Sequence, residues 1–248
     1  MKALILAAGY ATRLRPLTDS IPKQLLPVGG RPMVDWILDK IAETSADEVH
    51  LVTNARFAAD FERWAQDKDV RIHNDGTTSN EDRLGAIGDI RFVGLDDDLL
   101  VIAGDNLFDY SLAAYEAYWR GKDGSAVAVL DVRDPELAKK YGIVDVDEDD
   151  RILDFVEKPE NPPTTLCATA TYFYEREHAR LVSTYLEEGN PPDQPGNFVA
   201  WLHKRAPVYA YRFDGSWYDI GDRQQLLEAD NRLRRERGLP ERAEYSPT

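Results

Sequence analysis

The loop after the first apolar run of the chain combines glycine with several cations. The run Ala3–Leu6 leads into "LAAGYATRLRPLTDSIPKQLLPVGGRP", which contains Gly9, Arg13, Arg15 and Lys23. Glycine lets backbone N–H groups approach an anion closely, and arginine presents forked donors that suit phosphate oxygens. Each cation by itself is explained as well by an exposed surface loop. The whole group after one strand favours a cradle for a polyphosphate.

Two acidic residues lie where metal ligands would be expected. Asp105 ends the apolar run in "LLVIAGDNLF", and Asp219 lies in the aromatic segment "GSWYDIGD". Carboxylates close to a phosphate cradle are natural ligands for Mg²⁺. The alternative is that each acidic side chain caps a following helix, which fits Asp222 better than Asp219. The acidic runs "DDD" and "DVDEDD" are interpreted as solvated turns.

A third segment, "DFVEKPENPP", places two charged residues at the end of a predicted strand. Glu157 is suited to accept hydrogen bonds from ligand hydroxyls, and Lys158 is suited to bind a second phosphate. The alternative is an exposed ion pair, which would stabilise the protein very little.

None of the four histidines falls in these segments, and the sequence has no legible Ser/His/Asp arrangement or zinc spacing. The P-loop and dinucleotide-binding signatures are absent too. A site with cations and carboxylates but no evident general base suits a nucleophile that is already ionised. A phosphate monoester that attacks the α-phosphorus of a nucleotide is such a nucleophile, since catalysis then needs positioning and charge neutralisation.

Alternating apolar runs and amphipathic segments predict the elements that position these loops. The predicted strands of the first half are Ala3–Leu6, Glu48–Thr53, Val70–His73, Leu99–Ala103 and Ala126–Val132. The predicted helices between them are Asp35–Glu43, Ala58–Gln66 and Leu112–Gly121. This order indicates an α/β fold with a Rossmann-like, mostly parallel central sheet and helices on both faces. The candidate loops then meet at the carboxyl edge of the sheet, where open α/β sheets bind ligands.

The second half changes character. Predicted mixed strands at Ile143–Val146, Ile152–Val156 and Thr169–Tyr174 indicate a small mixed-sheet lid over that edge. A helix over Glu177–Glu187, the loop "EGNPPDQPGN" and a last helix from Arg223 to about Arg237 follow.

Composition restricts the class of protein. The 248 residues carry a formal net charge of −15, which argues against nucleic acid or an anionic membrane as a partner. The single cysteine, Cys167, cannot form an intrachain disulfide, and no apolar run approaches the length of a membrane helix. We therefore expect a soluble, cytoplasmic protein.

Taken together, the motifs resemble those of the sugar-1-phosphate nucleotidyltransferases, the family of the glucose-1-phosphate thymidylyl- and uridylyltransferases. The resemblance rests on the long first loop followed by "GDN", "YGIV", "EKP" and "WYDIG" in family order, over nearly the whole chain. It implies a glycosyltransferase A-like nucleotidyltransferase fold in one domain, residues 1–248. The parts would be a nucleotide-binding core at about 1–135, an acceptor-binding lid at about 136–220, and a C-terminal helix and tail at 222–248.

The implied reaction joins a sugar 1-phosphate to an NTP, gives an NDP-sugar and pyrophosphate, and requires Mg²⁺. The NTP would be dTTP, UTP or CTP, and relatives are often homo-oligomers. By motif position, the residues that bind the triphosphate and bridge the reacting phosphates would be Arg13 and Lys23, and the magnesium ligands Asp105 and Asp219. The nucleotide loop would be formed by Ala8, Gly9 and Tyr10. The sugar and its phosphate would contact Gly142, Glu157 and Lys158.

Departures from the family pattern leave both substrates open. Ala11 and Ala170 stand where many relatives have glycine, and "NDGTTSNEDRLGAIGDI" replaces the usual base-reading segment. Our best candidates for base contacts there are Asn80, Arg83 and Gly85.

The altered base loop and Ala170 leave room for a cytidylyltransferase that acts on phosphocholine or another non-sugar phosphate. The complete Arg13 and Lys23 loop speaks against a metal-dependent glycosyltransferase, since glycosyl transfer releases no pyrophosphate. A non-catalytic nucleotide-sugar sensor has no need of metal and leaving-group residues, so the intact set of Arg13, Lys23, Asp105 and Asp219 speaks against it.

Overall fold

The computed structural model describes residues 1–247, and strands and helices alternate along most of them. The strands are β1 (Lys2–Leu6), β2 (Pro27–Val28), β3 (Arg31–Pro32), β4 (Glu48–Thr53), β5 (Arg71–Asn74), β6 (Leu99–Ala103), β7 (Asn106–Phe108), β8 (Ser125–Asp131), β9 (Gly142–Val146), β10 (Ile152–Glu157), β11 (Leu166–Tyr174), β12 (Val208–Arg212) and β13 (Trp217–Asp219). The α-helices are α1 (Met33–Ile41), α2 (Ala58–Trp64), α3 (Ala86–Val93), α4 (Leu112–Arg120), α5 (Pro135–Ala138), α6 (Arg176–Glu187), α7 (Pro195–Leu202) and α8 (Arg223–Glu236).

The first half of the chain builds the parallel part of the central sheet. Strands β5, β4, β1 and β6 lie side by side in that order, and every neighbouring pair is parallel. Leu51 and Val101 are fully buried because both faces of these strands are covered, and strands covered on both faces are apolar along their whole length. The expected parallel sheet is confirmed, and the expected bounds of β4 and β6 match the structure.

The second half extends the same sheet. Strand β11 pairs antiparallel with β6, β8 and β9, while β10 pairs with β9 and β12 pairs with β8. The strands expected in a separate lid are therefore hydrogen-bonded into one nine-stranded sheet. The pairing register of β11 with β8 shifts between Ala168 and Tyr172. Such irregularities are common next to functional sites, because they redirect side chains.

Helices cover both faces of the sheet, as expected. Leu4 packs in a core with Ile87 of α3, Tyr185 of α6 and Phe198 of α7. The next residue, Ile5, packs on the opposite face with side chains of α1, α2 and α4, because successive side chains of a strand point to opposite faces. Within residues 1–247, none of the helices combines the length and the apolar character needed to cross a membrane.

Helices α3 and α7 have no counterpart in the elements expected from the sequence. Helix α7 begins inside the segment "EGNPPDQPGN", where the prolines indicated a loop. Pro195 occupies its first turn, where the missing N–H of proline costs nothing. Helix α3 follows Gly85, whose φ of 78° turns the chain into the helix.

A small two-stranded ribbon joins distant parts of the sequence. Strands β7 and β13 pair antiparallel, with Asp219 opposite Asn106. The N–H of Ile220 donates to the carbonyl oxygen of Asp105 at 3.0 Å. This ribbon brings the two candidate metal ligands to the same place, and it is the feature of the fold that matters most for the site.

Candidate active site

A cavity of about 790 Å³ opens at the carboxyl ends of β1 and β6. It lies where open α/β sheets bind ligands. Most residues singled out from the sequence line it: Ala8, Gly9, Arg13, Lys23, Arg83, Gly85, Asp105, Gly142, Glu157, Lys158 and Asp219. Six separate segments of the chain therefore contribute to one site.

Lys23 lines the cavity and is held there by two hydrogen bonds. Its Nζ donates to Asp105 Oδ2 at 2.6 Å and to the carbonyl oxygen of Ile220 at 2.9 Å. The Lys23 side chain is 11% exposed, so the ammonium can reach a ligand while the stem is held. Burial acts to raise the pKa of Asp105, but the Lys23 charge and the hydrogen bonds from Lys23 and Asn106 together lower it.

Asp219 lies beside this pair at the end of β13. Its pKa is raised to about 6, first by burial and then by the negative charge of Asp105. The charge of Asp105 acts on Asp219, and the pairing of Asp219 with Asn106 places the two carboxylates next to each other in the cavity. Two carboxylates are a sufficient protein contribution for Mg²⁺, which usually completes its shell with water and substrate phosphates. No larger group of acidic, histidine or cysteine ligands occurs among residues 1–247.

Arg13 and Gly9 form the side of the cavity that follows β1. The exposed guanidinium of Arg13 lies over Gly221, where an added Cβ would be 3.0 Å from Arg13 Nη2. Gly221 belongs to the segment "WYDIGD", so the absence of a side chain there makes room for the arginine. Gly9 has open space where a Cβ would stand, which leaves its backbone accessible to an anion.

The opposite side of the cavity is built around Glu157. Its carboxyl group fits into a slot between two glycines, since a Cβ on Gly142 or Gly196 would come within 2.9 Å or 2.5 Å of Glu157 Oε2. Burial raises the pKa of Glu157, and the nearby Lys158 ammonium, 3.7 Å away, opposes that rise. A half-buried carboxyl group held by backbone on two sides suits hydrogen bonds to hydroxyl groups.

Two of the predicted nucleotide residues have side chains outside the cavity. Tyr10 is buried, and its hydroxyl shares a hydrogen bond with Thr77 Oγ1 at 3.2 Å. Asn80 is exposed, and its carbonyl oxygen accepts from Arg83 Nη1 at 2.6 Å. Arg83 does line the cavity, but it is paired with Asp193 at 3.0 Å. The structure thus brings Gly85, rather than a free cation, to this part of the site.

Several lining residues were missed from the sequence. These are Asp89, Lys140, Tyr141, Gly196 and Trp217. Lys140 and Tyr141 directly precede "GIV", so their place next to a predicted site residue was a usable signal. Asp89 and Gly196 belong to the two unexpected helices, and nothing local marked them.

Three lining residues that are not glycine adopt left-handed backbone. Their φ values are 44° for Ala11, 47° for Lys158 and 51° for Ala170. This conformation costs roughly 1 kcal/mol or more for a residue with a side chain. Glycine would adopt this conformation at positions 11 and 170 without strain, and the alanines at both positions line the cavity.

Comparison with known proteins identifies the class. A model of the nucleotidyl transferase family matches residues 2–236, so the chain belongs to this family.

Individual relatives are similar over most of this chain. A UTP–glucose-1-phosphate uridylyltransferase from Synechocystis sp. is 30% identical over 238 residues, which are 89% of this chain and 60% of that protein. The chain therefore spans about three fifths of the length of this curated relative. A structure from Bacillus anthracis, described as a candidate glucose-1-phosphate thymidylyltransferase in complex with sucrose, has a TM-score of 0.78 at 27% identity and is matched over 94% of this chain and 95% of that one. The CTP:phosphocholine cytidylyltransferase LicC from Streptococcus pneumoniae has a TM-score of 0.77 at 20% identity, over 94% and 98% of the two chains, which shows the common fold.

Proposed function

We propose that the chain transfers a nucleotidyl group from an NTP to a sugar 1-phosphate and releases pyrophosphate. One observation supports this most strongly. Lys23, Asp105 and Asp219 lie together in a cavity that is also lined by Gly9, Arg13 and Glu157, and the charges of both Arg13 and Lys158 act on Asp219. One cavity with cations from several segments allows the two phosphates to meet between their binding groups, as an in-line displacement requires.

The charge of each residue suits it to a different role in the reaction. Arg13 would bind the triphosphate and the departing pyrophosphate, and the Lys23 ammonium would bridge the reacting phosphates. Asp105 and Asp219 would hold Mg²⁺, which when bound neutralises charge on the phosphates. No histidine is found among the described residues that line the cavity, in keeping with an acceptor phosphate that attacks without a general base.

The part of the cavity around Glu157, here called the acceptor side, suits a sugar phosphate as the acceptor. Glu157 would accept hydrogen bonds from sugar hydroxyls, and Gly142 would allow the sugar to approach the backbone. Lys158 and Lys140 add two cations on this side of the cavity, which suits the acceptor phosphate. The relatives' names favour glucose 1-phosphate as acceptor, and UTP or dTTP as donor. The buried single thiol of Cys167 is compatible with a reducing cytoplasm, which we include in the proposal.

A second candidate, a cytidylyltransferase for phosphocholine, is favoured by the aromatic wall of the acceptor side. Tyr141 and Trp217 both line the cavity, with ring centroids 4.7 Å apart in an edge-to-face arrangement. Aromatic faces next to a carboxyl group such as Glu157 suit a quaternary ammonium group. Lys140 and Lys158 count against a cationic acceptor.

A pyrophosphate-release matrix tests the proposal. UTP, dTTP, CTP, ATP and GTP are each combined with glucose 1-phosphate, other sugar 1-phosphates and phosphocholine in the presence of magnesium. We expect the strongest signal in the sugar block with UTP or dTTP. A signal confined to CTP and phosphocholine would replace the first proposal by the second. Absence of pyrophosphate from every pair, with protein that binds nucleotide, would reject both.

The slot around Glu157 gives a prediction of its own. Gly196→Ala should raise the KM for the acceptor about tenfold and leave the KM for the NTP within about twofold, because the new Cβ displaces the Glu157 carboxyl group. The ideal Cβ at position 196 would lie 2.5 Å from Glu157 Oε2 and 2.8 Å from Phe155 Cζ. Steady-state kinetics with each substrate varied in turn measures the split.

The matched control is Gly121→Ala. An added Cβ at position 121 meets nothing closer than 3.4 Å, and both KM values should stay unchanged. Equal increases of both KM values in Gly196→Ala would show that Glu157 does not serve the acceptor alone.

A further inference from the structure

The part of the cavity between the loop that follows β1 (residues 7–26) and α3 is more apolar than the proposed phosphate-binding part. Its walls include Leu6, Ala8 and Ala86, which are apolar. The one cation there, Arg83, is already paired with Asp193. An apolar slot without free charge, next to the phosphate-binding loop, suits the flat faces of a nucleobase.

Asp89 is the polar side chain at this slot. It lies one turn into α3, lines the cavity and is only 5% exposed. No donor among the described residues reaches Asp89 Oδ1, and the same holds for Oδ2 of Asp75. A buried polar atom without a partner is costly and calls for an explanation.

The interaction of the two carboxyl groups accounts for their oxygens without a partner. Burial raises the pKa of Asp89 to about 8, and Asp75 adds to this rise. Part of the effect of Asp75 is a hydrogen bond between the two side chains. Two carboxyl groups can form such a bond only if one of them carries a proton.

The proton belongs on Asp89. Asp75 Oδ1 accepts hydrogen bonds from the N–H of Thr77 at 2.7 Å and from Thr77 Oγ1 at 2.8 Å. Asp75 therefore already serves as an acceptor, whereas Asp89 Oδ1 has no donor among the described residues. Asp89 then donates its proton to Asp75 and keeps its second oxygen, Oδ2, as a neutral carbonyl acceptor towards the cavity.

We propose that Asp89 is the base-reading residue of the nucleotide site, whose carbonyl oxygen accepts a hydrogen bond from an N–H group on the edge of the base. Asp75 is the positioning residue that fixes the Asp89 proton and the direction of its acceptor. This inference rests on the proposed nucleotidyl transfer. It assigns specificity to a residue of α3 rather than to the exposed Asn80 and the paired Arg83.

A neutral acceptor is what this location requires. A charged carboxylate at position 89 would repel the phosphates that Arg13 and Lys23 attract. Two cations near α3 are already paired. Arg83 binds Asp193, and Arg91 on α3 lies 3.7 Å from Glu187 of α6. After burial, Asp75 is the group that raises the pKa of Asp89.

The test measures equilibrium binding of UTP, dTTP, CTP and inorganic tripolyphosphate, with magnesium, to the wild type and two variants. Asp89→Leu removes the acceptor, so we expect the Kd for the preferred nucleotide to rise about tenfold, with unchanged tripolyphosphate binding. Asp89→Asn restores the pattern, since its amide N–H donates to Asp75 and its carbonyl faces the cavity. Above pH 8 the wild type should lose nucleotide affinity as Asp89 ionises, whereas Asp89→Asn should not.

The matched control is Asp230→Asn. Asp230 is also buried, at 1% exposure, but it binds the N–H of Gly29 and does not line the cavity. Its nucleotide binding should equal that of the wild type.

An unchanged Kd and unchanged base preference in a folded Asp89→Leu variant would overturn the inference. A parallel loss of tripolyphosphate binding would do so too, because it would indicate a structural role. If Asp89→Leu alters base preference but the wild type releases no pyrophosphate with any acceptor, the inference stands as a binding property and the proposed function fails.

Discussion

Lys23→Met is expected to lower kcat about 1,000-fold, the size of effect seen when a fixed donor to a developing charge is removed. The structure holds Lys23 Nζ between Asp105 Oδ2 and the carbonyl oxygen of Ile220, so the ammonium is preorganised for the reacting phosphates. A preorganised charge stabilises the transition state without reorganisation, and methionine keeps the volume of the stem without the charge. The rate is measured as pyrophosphate release at saturating substrates, and folding by circular dichroism and thermal unfolding.

Two further variants complete this experiment. Lys23→Arg keeps the charge, but a planar guanidinium cannot replace a compact ammonium between these two acceptors, so most of the loss should remain. Lys122→Met is the matched control, since Lys122 binds the Asp149 carbonyl oxygen and does not line the cavity. A rate close to that of the wild type in Lys23→Met would remove Lys23 from the mechanism.

Asp219→Asn should raise the magnesium concentration for half-maximal rate at least about tenfold and lower kcat about 100-fold, because an amide is a weaker ligand than a carboxylate. Asp219 is the sharper test of the metal pair. Replacing Asp105 would also release Lys23, whose Nζ lies 2.6 Å from it. Magnesium titrations at fixed substrate concentrations measure the effect. Asp214→Asn, an exposed change close by in the sequence, is the control.

The pH dependence gives the same prediction a second readout. The pKa of Asp219 is about 6, so its carboxylate is ionised above that pH and becomes protonated below it. Only the ionised form binds the metal well. The magnesium requirement of the wild type should therefore grow as the pH falls from 7 to 5, while that of Asp219→Asn should stay flat. Magnesium titrations that coincide for the two proteins would rule out Asp219 as a ligand.

Much of the site was predictable because its chemistry lies in loops that directly follow buried strands. Apolar runs located β4 and β6 to the residue, and parallel strands end at one edge of a sheet. Lys23, Asp105 and Glu157 could therefore be expected near one another without knowledge of a distance. The side chains of Tyr10 and Asn80 do not line the cavity, and sequence position could not predict this because it does not say which way a side chain points.

Asp89 and Gly196 could not be found from the sequence, for a physical reason. Each acts through a residue far along the chain or on another element. Gly196 makes room for Glu157, and burial together with Asp75 raises the pKa of Asp89. Neither a glycine near the start of a helix nor an acidic residue inside one is informative until its neighbours in space are known.

The sequence by itself determined the alternation of strands and helices, the proposed phosphate-binding loop and the residue types available for catalysis, because these depend on local periodicity and motif. The tertiary structure alone decided the rest. The pairing of β7 with β13 brings Asp219 to Asp105, and the helices α3 and α7 supply the remaining walls of the cavity. Those contacts raise the pKa values of some groups, lower those of others, and fix where charged side chains point. These effects depend on burial and on distances in space, so they are known only once the chain has folded.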